Sequence, residues 1–354
     1  MNKELKQHRE QIDHIDDDLL NLFNQRAALA QQIGHLKGED TVLRPEREAQ
    51  VLRRLADANK GPLPKPSVIA LFTEVMSHCR ALEAPLAVAY LGPAGTFSEA
   101  AVVQRFGQAS HEIPCASIDE VFRAVESGTA NYGMVPVENS TEGAVGRTLD
   151  LLLQSPLKIC GEVKLAVHQC LLSQASDISG IKRVYSHPQS FGQCLGWLNT
   201  HLPAAEKVGV ASNAEAVALA AQQPLTGAIA GKVAAQHYAV PVRVENIEDD
   251  PRNTTRFLVI GKQDVAASGS DKTSLVMSAT NRPGAVHDLL APLAKHGVSM
   301  SKLESRPSRS GLWEYVFFLD VDGHQTDTSV AAALNELKQV AGFVKLLGSY
   351  PVAL

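Results

Sequence analysis

The chain has 354 residues, of which 45% are hydrophobic and 20% charged, a composition typical of globular proteins with room for two or three domains. Its formal net charge of −5 gives no broad electropositive field, which argues against nucleic acid or an anionic membrane surface as a partner. The cysteines lack metal-ligand spacing and the N-terminus lacks an apolar signal core, so we expect reduced thiols, no metal and a cytoplasmic protein.

The N-terminal part of the sequence predicts three helices. Apolar residues recur every three or four positions from Leu5 to Leu36, with no glycine or proline before Gly34. A second helix follows Pro45 and ends before Gly61, and a third covers about 67–82. The first helix would be about 50 Å long, too long for two short helices to cover. Its apolar stripe is therefore expected to need a second chain.

Three basic residues fall on or beside this apolar stripe. Arg26 and Lys37 would lie on nearly the same face, about 16 Å apart along the axis, so their side chains could converge on one small dianion. Arg9 would lie roughly 25 Å from Arg26, and only a partner's helix could bring it to the same ligand. The alternative is that these long side chains cover the edges of a coiled-coil seam.

The three helices resemble the all-helical chorismate mutases, a family of intertwined dimers. The resemblance implies that Arg26, Arg47 and Arg9 of the partner subunit bind carboxylates. It also implies that Glu48 contacts the substrate hydroxyl and that Lys37 donates a hydrogen bond to the ether oxygen. The family's reaction is pericyclic, so conformational restraint and stabilisation of developing negative charge suffice. No nucleophile, metal or cofactor is expected.

Three positions depart from the best-known bacterial pattern of that family. Arg44 replaces an aspartate, Cys79 a serine and Glu83 a glutamine. Glu83 would face the ether oxygen, where only its protonated form can donate a hydrogen bond. The alternative for this region is a helical segment that dimerises without binding chorismate.

A central α/β region begins after Ala84-Pro85. Short apolar strands are predicted at 86–91, 133–137, 184–185, 208–210, 227–230 and 257–260. Helices are predicted between them at 98–106, 118–126, 144–153, 191–198 and 214–221. This alternation predicts largely parallel sheets. Because neither GxGxxG nor GxxxxGK[ST] opens a helix, the sequence argues against a nucleotide-dependent enzyme such as prephenate dehydrogenase.

Four polar stretches of the central region occur in a defined order, at 92–99, 135–143, 185–189 and 253–257. The amides of the turn at 92–96 can receive a carboxylate. Thr255 offers a hydroxyl donor at the mouth of a strand, and Arg256 can hold a carboxylate or brace the loop. Each stretch alone is also explained by ordinary turn or strand chemistry. In this order the stretches resemble those of the prephenate dehydratases.

That resemblance implies two α/β lobes, like those of periplasmic binding proteins, with the substrate in the cleft between them. Thr255 would be the main catalytic residue, its hydroxyl assisting departure of the ring hydroxyl while the ring carboxylate leaves as CO2. Arg256 and Phe257 would shape its surroundings. The candidate cleft residues are Thr96, Glu138, Asn139, Ser140, Ser186, His187 and Gln189. Alternatively, Glu138 is a helix-capping carboxylate and His187 a packed histidine.

After a polar linker at 268–271, the pattern reads strand, helix, strand, strand, helix, strand, a ferredoxin-like plan. The predicted spans are 274–280, 285–296, 299–306, 312–321, 328–340 and 344–350. Two stretches resemble the ACT domains of phenylalanine-regulated dehydratases. They are Asn281, Arg282, Pro283, Gly284, Ala285 and Val286 in the first turn, and Glu304, Ser305, Arg306 and Pro307 on the second strand. Gly284 permits close approach of an amino acid, and the resemblance implies an L-phenylalanine site between paired ACT domains.

The sequence thus predicts a multidomain protein. Its parts are an all-α three-helix chorismate mutase at 1–84, a two-lobed α/β dehydratase at 86–264 and an α+β ferredoxin-like ACT domain at 272–354. The predicted function is conversion of chorismate to prephenate and then to phenylpyruvate, with feedback inhibition by L-phenylalanine, in a homo-oligomer. A non-catalytic amino-acid sensor is the remaining alternative, but it would have no reason to carry the Thr255-Arg256-Phe257 sequence.

Overall fold

A computed structural model describes residues 3–37, 43–279, 282–307 and 315–354, and the side chain of Lys37 lies outside the described part. The N-terminal region forms the three predicted helices, α1 (Lys3–Lys37), α2 (Pro45–Ala58) and α3 (Lys65–Ala81). Pro45 opens α2, where its missing N–H group would have no partner within the helix. No helix among the described residues is long and apolar enough to cross a membrane.

Helix α1 leaves its apolar side chains in solvent in the single chain. Leu19 and Phe23 are each 42% exposed, and Leu36 is 87% exposed. The helix packs mainly on α3. Near the C-terminal end of α1, a Cβ atom on Gly34 would lie 3.1 Å from Cγ of Glu83, which follows α3 in the chain. The uncovered apolar stripe is the feature for which the sequence predicts a second chain, and that prediction stays open.

The first lobe of the central region contains five strands in chain order and three helices. The strands are β1 (Ala87–Leu91), β2 (His111–Cys115), β3 (Tyr132–Asn139), β4 (Gly143–Ala144) and β5 (Lys158–Ala166). The helices are α4 (Phe97–Phe106), α5 (Ile118–Ser127) and α6 (Gly146–Gln154). Buried apolar residues of these elements pack on both faces of the sheet.

The chain then builds a second lobe and returns to the first. The second lobe has β6 (Cys170–Leu172), β7 (Arg183–Ser186), β8 (Glu206–Gly209), β9 (Thr226–Ala230) and β10 (Val242–Val244). Its helices are α7 (Pro188–Gln193), α8 (Leu195–His201), α9 (Asn213–Gln222) and α10 (Lys232–His237), with a 3-10 turn at Ile178–Gly180. Strand β11 (Thr254–Gly261) then re-enters the first lobe.

The two sheets are mixed, which corrects the prediction of largely parallel sheets. Their orders are β2-β1-β3-β11-β5, with β4 paired to β3, and β10-β6-β9-β7-β8. Strand β11 runs antiparallel to both β3 and β5, and β6 runs antiparallel to β9 and β10. Each of these antiparallel pairs contains β5, β6, β10 or β11. These strands flank the two segments by which the chain crosses between the lobes, from β5 to β6 and from β10 to β11. Such crossings contain no helix, so the rule for helix-connected parallel strands does not apply.

Other predicted elements differ in detail. The helix predicted at 191–198 is two short helices separated at Cys194. Strand β2 was missed because it contains Pro114, which an edge strand tolerates. Strand β5 was missed because residues 159–163 are all buried, so the polar alternation that identifies a half-exposed strand is absent.

The C-terminal region has the predicted ferredoxin-like plan. Its elements are β12 (Asp271–Ser278), α11 (Ala285–Lys295), β13 (Met300–Pro307), β14 (Tyr315–Asp322), α12 (Thr328–Val340) and β15 (Phe343–Pro351). The antiparallel sheet has the order β13-β14-β12-β15, and α11 and α12 pack on one of its faces. The opposite face packs on the first lobe, where Val276, Phe318 and Tyr350 join the lobe's own core.

Backbone contact between β15 and β5 fixes this docking. Gly348 has φ +153°, and a Cβ atom there would lie 2.3 Å from the carbonyl oxygen of Ile159. Only glycine allows both this backbone conformation and this close approach. The C-terminal sheet is therefore held against the strand beside β11.

Candidate active sites

A cleft of about 490 Å³ separates the two lobes. The first lobe contributes the β1–α4 turn, the β3–α6 segment and the start of β11, and the second lobe contributes the starts of α7, α9 and α10. Gly95 brings the lobes together, since it has φ +86° and a Cβ atom there would lie 3.2 Å from Cα of Ala234 in the second lobe. The volume suits a small organic molecule.

Five helices point their N-termini at this cleft. The residues that precede them all line it: Thr96 for α4, Val145 for α6, His187 for α7, Ser212 for α9 and Gly231 for α10. Among the described lining residues there is no lysine or arginine. Glu142 is the charged side chain among these described lining residues, so the amides and dipoles of the helix N-termini are the features of the cleft that suit a ligand with carboxylates.

Thr255 and Asn139 form a hydrogen-bonded pair in the cleft wall. The Asn139 side-chain amide donates to Oγ1 of Thr255 at 2.8 Å and to Oδ1 of Asn253 at 3.0 Å. The orientation of the Asn139 amide is fixed because its Oδ1 accepts from the backbone N–H of Thr141 at 3.0 Å. Thr255 thus already accepts a hydrogen bond, and its hydroxyl proton can be donated into the cleft.

The strand geometry sends neighbouring residues to opposite sides of the sheet. Thr255 and Phe257 both line the cleft, whereas the Arg256 side chain points away, because side chains alternate along a strand. Opposite them, Asn139 faces the cleft and Glu138 faces away to bond Lys302 of β13 at 2.8 Å. The structure therefore corrects the prediction that Glu138 lines the cleft. Arg256, predicted to shape the surroundings of Thr255, lies behind the sheet as well. A bulge at Val137 lets Pro136 face the cleft as well.

The other predicted cleft residues divide into two groups. Thr96, His187 and Gln189 line the cleft. Nδ1 of His187 accepts from the backbone N–H of Gln189 at 3.3 Å, so this histidine caps α7 and its Nε2 carries the proton in the neutral form. Ser186 is fully buried and donates to Asn213, while Ser140 bonds the backbone of Thr254. Neither serine lines the cleft.

Several polar cleft residues were not predicted from the sequence. They are Gln169, Ser190, Gln193, Ser212 and Asn213. Ser190 links them, because its Oγ accepts from Asn213 at 2.8 Å and from Gln169 at 3.2 Å. Two of them carried a sequence signal: Gln193 lies one helical turn after Gln189, and Ser212 begins an S-x-x-E capping box with Glu215.

The residues predicted for a mutase site are distributed over all three N-terminal helices. Arg26 is half-buried, and Arg9, Arg44 and Arg47 are exposed in the single chain. Cys79 is buried in α3, and Glu83 packs beside Gly34 of α1. The side chain of Lys37 falls outside the described residues.

Glu48 has a second set of partners that the sequence did not predict. Its carboxylate forms ion pairs with Arg80 of α3 and with Arg105 of α4, the latter at 2.9 Å. Burial holds the pKa of the Arg80 guanidinium below its ordinary value, and the charge of Glu48 opposes that shift. Arg80 also donates to the carbonyl of Phe106 at 2.7 Å. Glu48 therefore joins the helical region to the first lobe.

The predicted effector stretches lie at one end of the C-terminal domain. Gly284 precedes α11 with φ +77°, and no atom of the described residues lies within 4 Å of a Cβ built there. Arg306 of β13 bonds Asp150 of α6 at 3.0 Å, while Ser305 and Pro307 are exposed. Asn281 lies outside the described residues. No group of three or more metal-ligating side chains that could hold a metal occurs in the described parts of the chain.

The fold and the cleft together define a class of protein. It is a multidomain protein with a helical N-terminal region, a cleft between two α/β lobes and a ferredoxin-like domain behind the cleft. Family models match the three regions: chorismate mutase type II at 8–84, prephenate dehydratase at 88–265 and ACT domain at 273–339.

Similar proteins identify the family. A bifunctional chorismate mutase/prephenate dehydratase of Neisseria gonorrhoeae is 54% identical over 98% of this chain and 96% of its own length. Its counterpart in Aquifex aeolicus is 42% identical over 99% of each chain. A crystal structure of prephenate dehydratase in complex with L-Phe from Arthrobacter aurescens has a TM-score of 0.70 and 35% identity, covering 75% of this chain and 90% of that chain. The chain belongs to the family of bifunctional chorismate mutase/prephenate dehydratases, and it is an enzyme with both activities.

The Asn139–Thr255 pair makes a specific prediction for the dehydratase. In Asn139→Asp the side chain can only accept, so the Thr255 hydroxyl turns to donate to it and no longer donates into the cleft. We expect kcat to fall about 100-fold, with a smaller change in KM. Steady-state kinetics on prephenate measures both. Asn131→Asp is the control, because Asn131 uses only its oxygen, on Ala87; equal losses in the two variants would contradict the assignment.

Proposed function

We propose that the helical region rearranges chorismate to prephenate and that the cleft converts prephenate to phenylpyruvate, under inhibition by L-phenylalanine. The observation that carries the dehydratase assignment is the Asn139–Thr255 pair inside a cleft with five helix N-termini and no lysine or arginine among its described lining residues. Prephenate is a dianion, and amides at helix N-termini suit its carboxylates.

The dehydratase chemistry needs one proton and no cofactor. The bond from the ring to its carboxylate breaks and releases CO2, and that electron pair completes the aromatic ring as the ring C–O bond breaks. The departing hydroxyl accepts a hydrogen bond from Thr255, and it leaves as water by taking up one proton from solvent. Asn139 keeps the Thr255 proton directed into the cleft, and Phe257 supplies an apolar wall. Aromatisation drives the reaction, so a neutral donor suffices.

Thr255→Ala tests the role of this hydroxyl. The variant should lose about 100-fold or more in dehydratase kcat, because the donor is gone. Its mutase activity should be unchanged, since the mutase residues lie in another region of the chain. Both reactions are assayed on the same purified sample. A folded variant that loses both activities equally would rule out the proposed division of labour.

We further propose that the mutase site is shared between two chains. Ten large apolar residues of α1 are more than 40% exposed in the single chain, which supports burial against a partner: Leu5, Ile12, Ile15, Leu19, Leu20, Leu22, Phe23, Leu29, Ile33 and Leu36. Arg9 and Arg26 are roughly 25 Å apart along this straight helix. Chorismate would therefore meet Arg26 of one chain and Arg9 of the partner subunit.

Complementation tests the shared site. Arg9→Ala and Arg26→Ala homodimers should each lack mutase activity, whereas a mixed dimer would contain one site with both arginines. Co-expression with two different affinity tags isolates the mixed dimer, which should recover about half of the wild-type mutase rate per dimer, one site of two. Dehydratase activity of the same sample reports correct folding. Purified mixed dimers without mutase activity would show that each site belongs to one chain.

The ACT domain is proposed to bind L-phenylalanine next to Gly284 and β13. Gly284 has a left-handed φ and no close neighbour among the described residues, which supports close approach of a ligand backbone at the start of α11. A second copy of the domain would complete the site. The five buried free cysteines also support a reducing, cytoplasmic setting for the enzyme.

Gly284→Val tests the effector site. Its branched side chain would fill the open space and disfavour the left-handed φ, so we expect calorimetric L-phenylalanine affinity to fall at least about tenfold. The dehydratase should remain active but lose its inhibition. Gly297→Val is the control, because Gly297 also has a positive φ and open space but lies at the other end of α11. Normal phenylalanine binding by Gly284→Val would move the site elsewhere.

A further inference from the structure

Behind the cleft, Arg256 is the centre of a buried network that joins the dehydratase to the ACT domain. Its Nε donates to Glu162 of β5 at 2.7 Å, its Nη1 to Asp320 of β14 at 2.5 Å, and its Nη2 to Tyr350 of β15 at 2.9 Å. Glu162, Asp320 and Tyr350 are at most 6% exposed. The guanidinium fork therefore uses all three of its nitrogens on fixed partners.

The partners of Arg256 are themselves held by the ACT sheet. Ser274 of β12 donates to Asp320 at 2.5 Å and shares a hydrogen bond with Tyr350 at 2.7 Å. Lys272 bonds Glu162 at 3.1 Å. Burial by itself would raise the pKa of Glu162, but the charges of Arg256 and Lys272 outweigh burial and hold the pKa below its ordinary value. The Glu162 carboxylate therefore stays ionised around neutral pH.

The ACT sheet also holds Glu138, the residue of β3 that pairs with Arg256 across the strands. Thr255 pairs across strands with Asn139, and Arg256 pairs with Glu138. Glu138 bonds Lys302 of β13 at 2.8 Å. Asn139 directly follows Glu138, and Thr255 directly precedes Arg256. The ACT domain thus holds one sequence neighbour of each residue in the Asn139–Thr255 pair. Because side chains alternate, a shift of the ACT sheet against this back surface would tilt the pair on the cleft surface.

A second connection runs through helix α6. Lys345 of β15 donates to the carbonyls of Leu152, Leu153 and Ser155 at the C-terminal end of α6, at 2.6–2.9 Å. Arg306 bonds Asp150 in the same helix. The other end of α6 begins at Gly146, beside the cleft residue Val145. Lys302 and Arg306 lie on β13, the strand that carries the predicted effector stretch.

We propose that Arg256 and Glu138 are positioning residues of the dehydratase, and that the ACT domain controls the cleft by holding or releasing them. This inference rests on the proposed roles of Thr255 and L-phenylalanine. Ligand binding next to β13 would shift Lys302 relative to Glu138 and change the alignment of the Asn139–Thr255 pair. Inhibition would then need no contact between phenylalanine and the cleft.

Arg256→Lys tests the positioning role. Lysine keeps the charge but cannot bond three partners through a planar fork, so dehydratase kcat should fall about tenfold or more while KM changes less than about threefold. Arg252→Lys is the matched control, because Arg252 is four residues away with a side chain 88% exposed. If Arg256→Lys fails to fold, Tyr350→Phe removes one hydrogen bond with little change in volume and should lower kcat in the same way. Wild-type kcat in a folded Arg256→Lys or in Tyr350→Phe would overturn the role.

Lys302→Met tests the control by the ACT domain. Without the bond to Glu138, the uninhibited dehydratase kcat should fall, because a positioning residue is released. The L-phenylalanine concentration for half inhibition should rise about tenfold, whereas calorimetric phenylalanine affinity should change less than about threefold. Lys295→Met, which removes an exposed lysine of the same domain, should behave as wild type. Unchanged inhibition in Lys302→Met would overturn the coupling. A wild-type enzyme that L-phenylalanine does not inhibit, or a Thr255→Ala variant with normal dehydratase activity, would instead refute the proposed function on which this inference rests.

Discussion

Strand β11 lines the cleft with one face and contacts the ACT domain with the other, and the rest of the structure depends on that constraint. A strand alternates its side chains, so Thr255 and Phe257 line the cleft while Arg256 between them enters the network under the ACT sheet. The bulge at Val137 keeps both Asn139 and Pro136 on the cleft side of the neighbouring strand. The proposed catalytic and regulatory contacts therefore lie on opposite faces of the β3–β11 strand pair.

The electrostatics of the cleft fit a substrate that loses charge as it reacts. A lysine or arginine would bind the departing carboxylate strongly before the reaction and lose that interaction as CO2 forms. Uniform or ground-state binding of this kind does not accelerate a reaction. Amides at helix N-termini, such as those after Thr96 and Ser212, stabilise anions through partial charges. The cationic side chains of Arg256 and Lys302 lie instead behind the sheet, where they bind carboxylates of the protein itself.

The three regions are joined by specific contacts rather than by linkers alone. Arg53 of α2 donates to Ser268 and Ser270, which holds the linker before the ACT domain against the helical region. Glu48 binds Arg105 of the first lobe. A residue that the mutase resemblance assigns to chorismate thus also fixes the position of the helical region. Removing Glu48 would leave the buried Arg80 without its carboxylate partner, and such a loss typically costs about 3–5 kcal/mol.

The sequence by itself determined the three N-terminal helices, the ferredoxin-like plan and most of the polar stretches that line the cleft, because periodicity, turn residues and local motifs depend on near neighbours. It also identified Thr255 and Asn139, whose pairing depends on strand alignment across more than a hundred residues. Only the tertiary structure decided that β11 runs antiparallel between β3 and β5, and hence that Arg256 and Glu138 face the ACT domain. It alone brought Gln169, Ser190 and Asn213 together, since a local pattern cannot specify which distant strands meet or which face of each looks into the cleft.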